Sequence, residues 1–216
     1  MAGQTDSVID LIIARIDAGD MLPGNEINEK EMMEACGVSR TPVREALIRL
    51  ETDGLVQRHP RKGAVIFRPT VAEFLTILEV HANLESFAAG LAGQRITPPL
   101  EAELQSIVAA CSDHVAAHGS SSPAAYYQLN LQFHEVIVRA ACNDVLLAMV
   151  KTNARKLMAY YRMRYSHPDA AKLSANEHAE IADHILGKRS FEATAAMAAH
   201  FNYDRQTVMN LIASVG

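Results

Sequence analysis

Residues 37–50 read GVSRTPVREALIRL, with Arg40 and Arg44 four positions apart and Arg49 behind them. Four residues is just over one helical turn, so Arg40 and Arg44 project from nearly one face. Pro42 suits the first turn of a helix, where a backbone N–H has no partner to lose. Thr41 or Ser39 can cap that start, since either hydroxyl accepts from the orphan N–H groups. Val43, Leu47 and Leu50 form an apolar stripe on the opposite face. The stretch predicts a helix with an apolar underside and bare cations at its N-terminal end. Like charges at this spacing weaken an isolated helix by a few tenths of a kcal/mol, roughly 0.2–0.5. The arrangement therefore asks for an anionic partner.

The flanking sequence extends the pattern. Upstream, Val8, Leu11, Ile12 and Ile16 mark an amphipathic helix ending near Gly19, MLPGNEIN turns on Pro23-Gly24, and NEKEMMEAC forms a short helix after Asn28 that ends at Gly37. Two helices joined by a tight glycine-containing turn make a helix-turn-helix. Downstream, Leu55-Val56 and Ala64–Phe67 are strand-like, with Arg61-Lys62-Gly63 at the tip between them. Net charge is −5, yet residues 40–68 carry seven Lys and Arg against three acids. DNA affinity needs a local basic face, not a basic protein.

The chain has 216 residues, 49% of them hydrophobic and 21% charged, which fits a packed core and one large or two small domains. No apolar run approaches the roughly 20 residues that span a bilayer. MAGQTDSVID lacks the basic start and apolar block of a secretory signal. Cys36, Cys111 and Cys142 are scattered with no CxxC, which suits buried free thiols in a reducing cytosol. A cytoplasmic protein with no membrane partner is the expectation.

Arg68-Pro69-Thr70 breaks the pattern and helical periodicity resumes at Val71, so the domains are expected at 1–70 and 71–216. The second half reads as six helices: 71–93, 98 to about 118, 123–141, 144–165, 177–186 and 191–214, with SHPDAAKLSAN as a loop or broken turn. The fold class is thus mainly α, a three-helix unit with a β-hairpin followed by an all-α six-helix bundle. Asn130 and His134 share one helical face, His178 lies in the next-to-last helix and His200 in the last. A bundle interior can gather ligands from several helices, and three imidazoles plus an oxygen suit zinc, nickel or another transition ion.

PG-x-x-I followed by GVSRTPVREAL-x-x-L-x-x-x-GL and a basic-glycine wing resembles the winged helix-turn-helix of GntR-type bacterial transcription regulators, over residues 6–70. The resemblance implies that the helix starting near Thr41 enters the major groove by its N-terminal end. Arg40 and Arg44 then meet guanines and phosphates, since a guanidinium can fork onto O6 and N7. Thr41 and the helix N-terminus would hold phosphate. Lys30 falls where the fatty-acid-responsive branch has a base-contacting arginine, and Arg61, Lys62 and Gly63 would set the wing against the minor groove. Arg49 is as well explained by pairing with Glu45, four residues before it.

The second half is similar to the FCD domain of the FadR subfamily, in its six-helix, VanR-like branch. The residues are L-E-V-H-x-x-L-E-x-x-A-A-x-L-A from Leu78, N-x-x-F-H-x-x-I from Asn130, E-H-x-x-I from Glu177 and M-x-x-H ending at His200. Many FCD domains hold a metal with Asp-x-x-x-His and two later histidines, positions matched by Asn130, His134, His178 and His200. Here Asn130 replaces the aspartate, which leaves the site one unit more positive. His81 stands where an arginine is common, so an effector carboxylate loses one clamp; His81, Arg155 and Arg162 are the effector-site candidates, with Arg164 a further cation.

The resemblance implies a metabolite-responsive repressor that binds a pseudo-palindromic operator in double-stranded DNA as a homodimer and senses a small carboxylate metabolite, with a divalent metal such as zinc or nickel as cofactor. The rival from another class is a metal-dependent hydrolase on the helical bundle, although no carboxylate stands out as its general base: Glu135 and Glu177 only adjoin ligands in sequence.

Overall fold

The structure is a computed structural model that describes residues 3–59, 63–165 and 167–202, with Ala159, Tyr160, Arg162 and Met163 described in their backbone only. The described residues divide into two compact units. One is the chain up to Phe74 with Arg155–Ala159; the other is Leu75–Ala154 with the residues from Tyr160 on.

The first unit holds α1 (Gln4–Ala18), α2 (Glu29–Cys36), α3 (Arg40–Thr52) and the hairpin β1 (Val56–His59) and β2 (Gly63–Ile66). Val8, Ile12 and Ile16 of α1 are buried with Met32 of α2 and with Val43, Ala46, Leu47 and Leu50 of α3. Full burial of each of the Val, Ile, Leu and Met side chains stabilises by about 1.5–3 kcal/mol. The punctuation follows the sequence. Gly19 (φ 85°) and Gly37 (φ 64°) take the left-handed conformation that ends α1 and α2. Asn28 Oδ1 caps α2 by accepting from Lys30 N at 3.0 Å and Glu31 N at 3.3 Å. Ser39 occupies the cap position of α3 in extended backbone, and its hydroxyl makes no capping bond.

The hairpin pairs antiparallel from Val56↔Ile66 to His59↔Gly63. Arg61 and Lys62, expected at its tip, lie outside the described residues. MLPGNEIN does more than turn: Ile66 N donates to Asn25 O (2.9 Å), Gly24 N to Ile66 O (2.9 Å) and Ile27 N to Ala64 O (2.8 Å). Residues 24–27 thus cover the free edge of β2, which explains why Ala64, Val65 and Ile66 are all buried.

Helix α4 (Val71–Arg95) opens with a capping box. Thr70 N donates to Glu73 Oε2 at 2.8 Å and Glu73 N to Thr70 Oγ1 at 3.3 Å. Its buried stripe is Phe74, Leu78, His81, Glu85, Ala88 and Ala92, at alternating spacings of four and three, so two polar residues occupy core positions. There follow α5 (Pro98–His118), α6 (Pro123–Ala140), α7 (Asp144–Arg164), α8 (Ala170–Leu186) and α9 (Ser190–His200). Gly90 and Gly93 let α9 approach α4: a Cβ on Gly90 would meet Thr194 Oγ1 at 2.3 Å, and one on Gly93 would meet Ser190 Cα at 3.2 Å.

Two expectations need correction. Helix α8 begins at Ala170, seven residues before the expected Glu177; its first two turns bury only the small side chains of Ala171, Ser174 and Ala175, which carry no strong apolar periodicity in the sequence. Of the three thiols only Cys111 is buried, while Cys36 is half-buried and Cys142 exposed. Residues 203–214 of the expected last helix lie outside the described ones. No described helix is long and apolar enough to cross a membrane.

Candidate nucleic-acid interface and metal centre

The N-terminal end of α3 presents its cations to solvent. The Arg40 and Arg44 side chains are 64% and 58% exposed and share one loose partner, Glu29 Oε2, at 3.8 and 3.5 Å. Such exposed pairs contribute about 0–1 kcal/mol, less than a bidentate guanine contact at about 1–3 kcal/mol. Thr41 is exposed in the first turn, and Lys30 is exposed with Glu34 at 3.7 Å. Gly63, the last described residue of the wing tip, is exposed with φ 71°. Arg49 pairs with Asp6 at 2.9 Å, while Glu45, its expected partner, accepts from Thr5 Oγ1 at 2.9 Å. The first unit thus has an exposed basic end fixed on an apolar base.

In the second unit α6, α8 and α9 bring His134, His178 and His200 together, with one ring nitrogen of each within 4.8 Å of the others. His178 and His200 are buried, and the His134 side chain is 12% exposed. Burial holds His178 well below the usual imidazole range. Burial also lowers His200 to about 4, against a rise from its bond to Glu177. Both rings are neutral at pH 7, so their lone pairs are available without loss of a proton.

Hydrogen bonds fix the rings. Glu177 Oε2 lies 2.6 Å from His200 Nδ1, which leaves Nε2 as the donor of an electron pair. A relay behind His178 has a set direction. Tyr165 donates its hydroxyl proton to Asn130 Oδ1 at 2.7 Å, so Ser174 Oγ must donate to Tyr165 at 3.2 Å and accept from His178 Nε2 at 3.3 Å. His178 is then protonated on Nε2, and its lone pair sits on Nδ1. Cys111 Sγ lies 3.9 Å from that atom, its thiol pushed up to about 11 by burial. Asn130 is buried, its oxygen already carrying the Tyr165 bond.

Beside these rings lies a small cavity bordered by His81, Glu85, Asn130, His134, Arg164 and His200. Of the expected effector residues, His81 reaches it, but burial lowers this ring to about 4, so it is no cation at pH 7. Arg155 does not border it: its guanidinium forks the Asp17 carboxylate at 2.8 and 2.7 Å. The Arg162 side chain lies outside the described residues. Arg164 does border the cavity, 3.8 Å from Glu177. Glu85, part of the L-E-V-H-x-x-L-E motif but given no role by it, is 1% exposed between His81 Nε2 at 3.6 Å and His134 Nδ1 at 3.4 Å. Burial pushes its carboxyl up, but His134, with His81 and His200 behind it, brings it below the ordinary carboxylate range.

The donor set fits a divalent transition ion: three closely spaced, largely buried rings, two of them with tautomers fixed by neighbours. The carboxylates that adjoin these histidines in sequence have other partners. Glu135 is bonded to Lys151 at 2.7 Å and Glu177 to His200 at 2.6 Å.

Comparison with known proteins agrees with both units. Residues 4–66 match the bacterial regulatory proteins of the gntR family and residues 76–203 match the FCD domain. The chain is 30% identical to the Nta operon transcriptional regulator of Aminobacter aminovorans over 193 residues, 88% of this chain and 87% of that one. It is 28% identical to the HTH-type transcriptional regulator YdhC of Bacillus subtilis over 199 residues, 90% and 86% of the two chains. Among solved structures, Escherichia coli McbR/YncC superposes with a TM-score of 0.79 at 20% identity over the whole of both chains, a likeness of fold. The exposed basic helix end and the hairpin fall within the first match and the three histidines within the second, and the chain belongs to the GntR family of DNA-binding transcriptional regulators, with an FCD domain as its second part.

Proposed function

We propose that this regulator is a cytoplasmic, metabolite-responsive repressor. It binds a pseudo-palindromic operator as a homodimer, each winged unit reading one half-site. Arg40 and Arg44 reach base edges and phosphates from the end of α3, with Thr41 on phosphate and Lys30 as a looser contact from α2. Arg61, Lys62 and Gly63 lean the wing on the minor groove. Repression is the simpler sign, because a dimer seated on an operator blocks transcription by occupancy alone.

The second unit is the sensor, in this reading. His134, His178 and His200 hold a zinc or nickel ion, with Asn130 beside them offering what the Tyr165 bond leaves of its oxygen. When bound, such an ion offers positive charge and open positions to a small carboxylate. Arg164 supports that carboxylate from the cavity wall, since His81 is neutral and Arg155 is tied to Asp17. Ligand binding must favour one DNA-binding arrangement over another to alter affinity.

The observation that supports this most is the close set of three nearly dry imidazoles bordering a cavity that also holds an arginine. The test starts from duplexes selected out of random sequence by the protein. Their affinity is then measured with added zinc, with chelator, and across a panel of small mono- and dicarboxylates. The reading predicts at least a tenfold change for some acid in the metal-loaded protein and none after chelation. Affinity indifferent to metal and to every acid contradicts it.

A further inference from the structure

Position 130 carries a neutral amide, so the three-ring set brings no negative charge of its own to a divalent ion. Burying uncompensated charge is costly, and a compensating anion belongs close by. The structure has one. Glu85 lies on the core stripe of α4, 1% exposed, with its Oε2 3.4 Å from His134 Nδ1. Both atoms are buried without a hydrogen-bond partner, as is His81 Nδ1 on the other side. Unsatisfied buried polar atoms cost about 1–3 kcal/mol each. Facing one another at 3.4 Å, the carboxylate oxygen and ring nitrogen are a small rotation short of a bond.

We infer that Glu85 is the anionic positioning residue of the metal site in this chain, accepting Nδ1–H of His134 and supplying the charge that Asn130 lacks. This rests on the metal reading above. The bond turns His134 Nε2 toward the ion, as Glu177 does for His200. The two carboxylates are not equivalent. Glu177 is 41% exposed and has Arg164 at 3.8 Å, so water and a cation screen its charge. Glu85 is 1% exposed and lies between the His81 and His134 rings, so its charge is far less screened by water.

The test uses cobalt(II) as the probe, read by its visible absorption in the full-length protein. Wild type is compared with Glu85→Gln, Glu85→Asp and the double variant Glu85→Gln/Asn130→Asp, with circular dichroism confirming the fold. Glu85→Gln should bind cobalt about 10–100-fold more weakly with an altered spectrum. Glu85→Asp should keep most of the affinity, and the double variant should regain at least half of the loss on a logarithmic scale. A parallel measurement needs no variant: histidine ring ¹⁵N shifts of the zinc-loaded wild type should show His134 protonated at Nδ1 and metal-bound at Nε2. Wild type that takes up no cobalt removes the metal reading and this inference with it. Wild type that binds while Glu85→Gln matches it, a double variant with no recovery, or His134 protonated at Nε2, overturns this inference alone.

Discussion

Tyr165 donates its hydroxyl proton to Asn130 Oδ1 at 2.7 Å, and that one bond sets the direction of a relay through Ser174 to His178. Replacing Tyr165 by Phe leaves the buried Asn130 oxygen unmatched and removes the acceptor of the Ser174 proton. A loss of about 1–3 kcal/mol is expected, read as a lower urea midpoint for the helical unit at unchanged slope. An unchanged midpoint would show that the relay does not form.

Glu29 restrains the reading arginines. Its carboxylate lies 3.5 Å from Arg44 Nε and 3.8 Å from Arg40 Nε. Glu29→Gln should tighten DNA binding up to about fivefold, the equivalent of about 1 kcal/mol for an exposed pair, and most visibly at low salt. Fluorescence anisotropy on a selected duplex measures it; weaker binding would mean that Glu29 orients the arginines instead of competing with DNA.

Leu50, on the inner face of α3, is completely buried. Leu50→Ala should cost about 2–5 kcal/mol and reduce DNA binding through loss of the fold, without changing salt dependence per folded molecule. Denaturation followed in the first unit checks the size of the effect.

Stability should fall with acid. Burial holds His81 and His200 at about 4 in the folded chain, below the free imidazole value of 6.5. Between these values the unfolded chain binds more protons than the folded one, so folding stability rises with pH across that window. The contribution is complete above about 6.5 and lost as pH falls toward 4. Urea midpoints of the metal-free protein at pH 7.5, 6 and 5 should decrease in that order.

Much of this molecule is legible in its sequence, for reasons of local chemistry. Asn28 before an acidic turn, Gly37 after a helix and Thr97-Pro98 at the start of α5 each mark a boundary that backbone hydrogen bonding or a fixed φ enforces. What escaped was tertiary. Residues 24–27 look like a turn because pairing with β2 is a long-range event. The early part of α8 escaped because small and polar residues face its interior. Glu85 could have been found: His81 and Glu85 continue the four-three spacing of Phe74, Leu78, Ala88 and Ala92, which places two polar side chains in a core stripe. Arg155 shows the opposite limit, since no spacing rule reveals that its fork closes on Asp17.

DNA recognition by this protein rests on the end of α3. Duplexes selected by the wild type should be titrated against Arg44→Ala at one fixed, near-physiological salt concentration, with circular dichroism confirming the fold. Loss of about 1–3 kcal/mol, roughly 5- to 150-fold in affinity, together with relaxed preference at one base pair of each half-site, is the predicted result. Equal affinity and equal preference in the folded variant would contradict it.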